Sequence, residues 1–421
     1  MNNLSKFNMA KPNPIQLAWQ DMEVGLFVHF NMFTYAPEWD FRTFKDHPSP
    51  ELFNPVKLDT DQWLEAGKSF GAKYAVLTAK HCSGFCIWQT EAYDYGVKQS
   101  KWRNGKGDVV ADFIESCHKY GIKPGIYYSA TANGYLKVDN PGRVQSGDPK
   151  EQARYKAICE QQLRELWSRY GDLVEVWFDG SALLPEEGGP DIASLLHELQ
   201  PNAVVFQSPQ ASIRWVGNED GVAPYPCWNT VKINGEWGVG DPDGEYWCPA
   251  ECDVPIRHGE WSWKPNQDHL VKPLGHLVDL YYRSVGHGCN LLLNSNPDRD
   301  GQIPEADMKR YVEFGAELNR RFSKGIAETQ GKGNAVELIL DKPTVIDHVI
   351  TMEDIAQGER AREYVIEAFS NGEWKELCKG SSIGHKKIDK FDPAEVSNIR
   401  WRCMKSSAEP IIRKLAVYNC Q

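Results

Sequence analysis

The sequence predicts an α/β fold, a (β/α)8-type barrel followed by a β-sandwich, on two observations. Through the first 320 or so residues, short runs that are apolar almost throughout alternate with longer amphipathic segments. That is the order of parallel strands covered on both faces and joined by right-handed helical crossovers. Beyond about residue 326, strand-like runs follow one another with no long helix between them, the pattern of a sandwich. A chain of 421 residues suits one large barrel with an appendage.

The elements follow in order. VGLFVHF (24–30) is the first strand, DQWLEAGKSF (61–70) a helix and AKYAVLTAK (72–80) the second strand. VVADFIESCHKYG (109–121) has helical spacing and stops at Gly121, a residue suited to closing a helix. KPGIYYS (123–129) is strand three, KAICEQQLRELWSRYG (156–171) a longer helix, and VEVWFDG (174–180) strand four. ASLLHELQ (193–200) then leads into AVVFQSP (203–209). HLVKPLGHLVDLYYRSVGHG (269–288) is helical with Pro273 near its start, CNLLLNS (289–295) a strand, and EADMKRYVEFGAELNRRFS (305–323) a closing helix. At least six strands result, and the stretch 210–265 resists assignment. A doubly wound sheet would carry a glycine-rich phosphate turn after its first strand; HFNMFTYAPEW has none. AVELILD, TVIDHVITME, REYVIEAFSNGEWKELC, NIRWRCM and RKLAVYN, with Asn-Gly or Ser/Gly turns, are the sandwich strands. The expected domains are 1–325 and 326–421, linked near 323–334. Trp374 and Trp401, in sandwich strands, are expected to be core.

Composition narrows the function classes. Charged residues at 25% and hydrophobic residues at 41% exclude disorder. A net charge of −11 with no basic run argues against nucleic acid as a partner. No stretch approaches the roughly 20 apolar residues of a membrane span, and MNNLSKFNMAKPNP has no signal-peptide core. The eleven cysteines, an odd number spread over the chain, read as reduced buried thiols. Together these favour a cytoplasmic location, with a periplasmic or secreted one after signal removal as the alternative. Cys82/Cys86 and Cys248/Cys252 have zinc-like spacers, but no second His/Cys pair completes a site, so neither metal nor cofactor is expected. Fifteen tryptophans, clustered in loop-like stretches, point to a flat, apolar-faced ligand.

In a parallel barrel, function sits at the C-terminal ends of strands. Those ends offer His29, then Lys80-His81-Cys82, then Tyr127-Tyr128, then Trp177-Phe178-Asp179-Gly180. Asp179 ends a buried strand, so its carboxyl must be hydrogen-bonded or face a polar cleft. Trp177 lies two residues earlier and faces the same side. A carboxylate beside an aromatic wall suits a sugar, whose C–H face meets the ring while its hydroxyls meet charge. Glycosidic chemistry needs a second carboxylate. Glu219, in SIRWVGNEDGVA, is one candidate; Glu251, in a segment with Asp253, Arg257, Trp261 and Trp263, is another.

GLFVHF, APEW, LTAKHCSGFCIW, GIYYS, VWFDG, the RWVGNEDG loop and the E-x-D-V-x-I-R stretch, in that order, give the first 320 or so residues their likeness. The chain resembles glycoside hydrolase family 29, the retaining α-L-fucosidases. The resemblance implies an irregular (β/α)8 barrel followed by a β-sandwich, and a fucosylated oligosaccharide or glycoconjugate as partner. It implies that Asp179 is the catalytic nucleophile. His29, Glu38, Trp39, His81, Tyr128 and Trp177 fall where the family contacts fucose, and Arg257 and Trp261 are further pocket residues. Glu219 matches the acid/base of a branch that favours α1,3- or α1,4-linked fucose on branched, Lewis-type acceptors. One departure stands out: relatives carry a second histidine and an acidic residue where this chain has Cys82 and Ser83. A thiol cannot replace imidazole as a charged donor, which keeps a weakly active or inactive glycan-binding protein as an alternative. A metal-dependent barrel hydrolase is disfavoured, because the sequence has no His-x-His and no His-x-x-x-His.

Overall fold

The computed structural model describes residues 9–233, 238–370 and 372–421. The N-terminal segment read for a signal peptide therefore lies mostly outside the described residues, as does Asn371 of the expected Asn-Gly turn. Eight parallel strands form the first part: β1 Val24–Val28, β2 Tyr74–Lys80, β3 Lys123–Tyr128, β4 Glu175–Phe178, β5 Val204–Phe206, β6 Arg214–Trp215, β7 Ala250–Pro255 and β8 Asn290–Ser295. Their order is β5-β4-β3-β2-β1-β8-β7-β6. One parallel bridge, Phe206 to Ile213, joins β5 to β6. The barrel is thus nearly closed, with a thin seam.

Six main helices cover it: α1 Thr60–Ser69, α2 Val109–Tyr120, α3 Pro149–Arg169, α4 Ile192–Leu199, α5 Leu274–Arg283 and α6 Glu305–Phe322. Asp59 and Asp108 cap α1 and α2 by accepting from Gln62 N and Ala111 N, satisfying donors that a helix start leaves free. Gly121 ends α2 at φ 67, the left-handed conformation glycine adopts without a Cβ clash. Two helices differ from expectation. α3 starts seven residues before Lys156, because Asp148 caps it and Pro149 fits its first turn. α5 starts only after Pro273, whose backbone is extended at ψ 154. No helix separates β5, β6 and β7 among the described residues, which is why 210–265 showed no helical period and why β6 and β7 went unread.

Alternation along the strands divides inside from outside. Leu26, Val28, Leu77, Ile126, Val176 and Phe178 pack outward in the main core beneath the helices. Phe27, Tyr74, Val76, Tyr127, Trp177, Phe206 and Leu292 fill the barrel interior. A short helix, Pro14–Gln20, places Trp19 in the same interior cluster.

The C-terminal domain is one continuous antiparallel sheet of six strands: β9 Ala327–Lys332, β10 Ala335–Glu353, β11 Ala361–Ser370, β12 Glu373–Gly380, β13 Lys387–Ser406 and β14 Ile411–Tyr418. Their order is β9-β14-β10-β13-β11-β12. β10 and β13 are long and pair with register shifts; β10 replaces two of the short strands expected, and β13 extends NIRWRCM back to Lys387. Trp401 is fully buried in this domain's own core, with Val336, Ile366 and Leu415. Trp374 is half-buried under the Arg400 guanidinium, 4.1 Å from its ring centre. Ile350, Ile388, Ala416 and Tyr418 belong instead to the barrel's core, so the sheet buttresses the barrel. All eleven cysteines are free thiols, and no described helix is long and apolar enough to cross a membrane.

Candidate active site

At the C-terminal ends of the strands lies a cavity of about 790 Å³, lined in part by Glu38, Trp39, His81, Cys82, Trp177, Asp179, Trp215, Glu219, Asp253 and Trp261. Its floor is aromatic. Inward rings on neighbouring strands stack one on the next: His81 on Tyr127 at 5.5 Å, Tyr127 on Trp177 at 5.1 Å, Trp177 on Phe206 at 4.2 Å. One side of each ring type meets the next strand's ring, so the flat surface is a product of register: Tyr127 pairs with Trp177 and Trp177 with Phe206.

Asp179 stands above this stack, just past the end of β4. Tyr127 Oη donates to its Oδ2 at 2.7 Å, and Thr131 Oγ1 donates to its backbone carbonyl at 2.6 Å. Gly180 follows at φ 84, turning the chain away so that the carboxyl stays in the cavity. Glu219 reaches the cavity from the loop after β6, and Trp261 Nε1 donates to its Oε2 at 2.8 Å. The two carboxyl groups proposed from sequence therefore share one cavity, each oriented by an aromatic donor.

Histidine placement depends on a local irregularity. The pairing of β2 with β3 shifts register between Thr78 and Lys80. Lys80 consequently turns outward, its ammonium 4.0 Å from the Tyr128 ring centre, and His81 turns into the cavity. The Cys82 thiol lies 3.0 Å from His81 Nδ1, and burial pushes that thiol's pKa up. His29 is one layer deeper, packed 5.4 Å from His81 and 5.1 Å from Trp261. Its Nδ1 meets Asn294 Oδ1 at 2.7 Å, while the Asn294 amide nitrogen donates to Asn296 Oδ1. Nδ1 is therefore the protonated nitrogen. Burial, with His81 close by, lowers the His29 pKa, and burial lowers that of His81 despite Asp179 nearby. Burial thus favours the neutral form of both imidazoles. Trp39 stacks on Phe33 at 5.7 Å, and a Cβ on Gly134 would come within 2.9 Å of its ring, so glycine there makes room for it. Glu38 lines the mouth beside it and is exposed.

Two expected contacts are corrected. Tyr128 is fully buried on the outer face of β3, its hydroxyl donating to Gln162 Oε1 at 2.8 Å; strand alternation gives Tyr127 the inward place. Arg257 lies past β7, fully buried, with Asp307 of α6 at 2.9 Å and Asp268 at 2.8 Å. It clamps α6 to the barrel and does not line the cavity. Trp263 also lies off the cavity, 5.9 Å from the Arg299 guanidinium. Removing one partner of a buried pair leaves an uncompensated charge. Arg257→Ala is accordingly expected to cost about 3–5 kcal/mol of stability, read in urea unfolding, with KM unchanged in the folded fraction. A large KM increase at unchanged stability would restore Arg257 to the sugar site.

Below the stack, β7 and β4 each turn a carboxyl inward. Glu251 accepts from Trp177 Nε1 at 3.1 Å and Tyr74 Oη at 2.6 Å. Glu175 accepts from Trp19 Nε1 at 3.0 Å. Burial raises the pKa of both, Glu251 to about 7. Glu251 is thus a fixed anchor for Trp177 and does not line the cavity, whereas Glu219 does. Asp253, which the sequence offered beside Glu251 with no role, lines the cavity, as do Arg42, Asp139, Asn140 and Gln207, which no sequence signal singled out. Gln207 and Ser208, at φ 53 and 73, are strained non-glycine residues of a kind that gathers at functional sites.

A parallel barrel with carboxyl groups and an aromatic wall at its C-terminal mouth is an arrangement suited to a glycoside hydrolase. The family profile described as alpha-L-fucosidase matches residues 5–321, and the chain belongs to that family. It is 33% identical to alpha-L-fucosidase 1 of Arabidopsis thaliana, over 97% of this chain and 87% of that protein. A Bacteroides thetaiotaomicron structure assigned to the α-L-fucosidases superposes with a TM-score of 0.93 at 39% identity, covering 98% of this chain and 99% of that one. A Ruminococcus gnavus GH29 fucosidase in complex with fucose gives 0.84 at 25% identity, covering 100% and 97%.

Proposed function

We propose that this α-L-fucosidase is a retaining enzyme that releases terminal fucose linked α1,3 or α1,4 to branched, Lewis-type acceptors. The observation that carries the reading is the meeting of Asp179 and Glu219, from separate segments, in one aromatic-floored cavity. Asp179 attacks the anomeric carbon and displaces the acceptor oxygen, which Glu219 protonates. Glu219 then takes a proton from water, which opens the fucosyl ester. Trp177 and Trp261 offer faces to the sugar's apolar side, and His81 with Glu38 and Trp39 serves its hydroxyls. The division into 1–325 and 326–421 belongs to the same reading, since α6 stops at Phe322 and β9 begins at Ala327.

The Cys82 substitution favours the second reading, a weak or inactive glycan binder, because no second imidazole is available there. Against it, the thiol holds His81 in place and neither carboxyl is disturbed. Proton NMR during hydrolysis of a Lewis-type trisaccharide tests both. The α-anomer of fucose should appear first and mutarotate later, and an α1,2-linked fucoside should be cleaved much more slowly. The β-anomer appearing first would overturn retention; no cleavage of any fucoside would favour the binder.

A further inference from the structure

Two carboxyl groups suffice for the proposed reaction, yet a third lines the cavity. Asp253 projects inward from β7 and is 4% exposed. Trp215 Nε1 donates to its Oδ1 at 2.7 Å. The charged side chains that act on it are acidic: Glu251, two residues earlier on the same inward face, and Glu219 across the cavity wall. A carboxyl removed from water among like charges is driven to its neutral form. Its pKa is accordingly raised well above the usual carboxylate range, chiefly by burial.

A neutral carboxyl divides its two oxygens between roles. The carbonyl oxygen accepts, here from Trp215, and the hydroxyl must donate. We propose that Asp253 is a substrate-contacting residue of the sugar site, its carboxyl hydroxyl donating a hydrogen bond to one of the secondary hydroxyls of fucose. The inference rests on the reading that fucose occupies this cavity. It gives the site a donor on the Glu219 wall without adding a further negative charge to the cavity. It also explains why an acidic residue is tolerated in so enclosed a place: the sugar supplies the acceptor that the protein omits.

Calorimetric titration with L-fucose tests this, because free fucose binds without turnover. Asp253→Asn keeps both roles, its carbonyl accepting from Trp215 and its amide donating, and should bind within about threefold of the parent protein. Asp253→Leu, of similar size, removes both and should bind about 10- to 100-fold more weakly. Among monodeoxy-L-fucoses, the one lacking the partner hydroxyl should lose a similar factor on the parent and on Asp253→Asn, but nothing further on Asp253→Leu. If Asp253→Leu melts early, Asp253→Ala takes its place in the same series. Binding of Asp253→Asn as weak as that of Asp253→Leu would show that a charge is needed and overturn the proposal. So would parent-like binding by Asp253→Leu, or a deoxy series with no such coupling. Failure of the parent itself to bind fucose would be seen before any variant is made, and would remove the fucose reading of the cavity.

Discussion

Asp179→Ala is expected to lower kcat by roughly 10⁴- to 10⁶-fold, the range for deleting a covalent nucleophile, equivalent to about 5–8 kcal/mol of barrier. Fucose should still bind, because the aromatic floor, His81 and the Trp39 wall do not depend on this carboxyl. Tyr127 loses its acceptor, so a small loss of stability, about 1–3 kcal/mol, accompanies the change. Azide separates a lost nucleophile from a distorted site. With Asp179 gone, azide can occupy the vacated space and attack the anomeric carbon directly, giving the β-fucosyl azide by a single inversion. Wild-type rates in Asp179→Ala, or no azide product with an activated fucoside, would remove Asp179 from the nucleophile's role.

How far the sequence carries this site is clear from neighbouring residues that fared differently. Asp179 was legible because an acid closing VEVWF must be explained, and two-residue alternation tied it to Trp177. Tyr128 was not, because GIYYS places two tyrosines at one strand end and only the pairing of Tyr127 with Trp177 shows which faces inward. The same alternation would have placed Asp253 in the cavity had AECDVP been read as a strand. Its inward positions are acidic, so it shows none of the apolar continuity that revealed β1 to β5. Arg257 misled for a related reason: it follows the strand in a stretch rich in site residues, and only the fold brings Asp307, fifty residues later, against it. His81 faces inward through a register shift that no local pattern announces. The architecture itself was easier, since alternating strands and helices determine a barrel without any knowledge of register, and the missing helices around β6 mark where that logic failed.

Glu219→Ala should give the second large effect, with a different signature. Hydrolysis of an oligosaccharide, whose leaving oxygen needs a proton, should fall by about 10²- to 10⁴-fold. An aryl fucoside with a low leaving-group pKa needs no such proton, so its first step should be largely spared and the fucosyl-enzyme should accumulate as a burst. Azide then attacks that intermediate in place of activated water, giving the α-fucosyl azide by two inversions. The opposite anomers from the two variants assign the two carboxyl groups independently of any rate. Stability should change by less than about 0.5 kcal/mol, because Glu219 sits in an exposed loop whose side-chain contact is the Trp261 indole. That contact matters for the assignment. An acid that must later act as a base needs to hold its position through both steps, and a single indole donor fixes one oxygen while leaving the other free to exchange its proton. Equal losses on activated and unactivated fucosides, with no azide product, would mean that Glu219 orients Trp261 rather than transfers the proton.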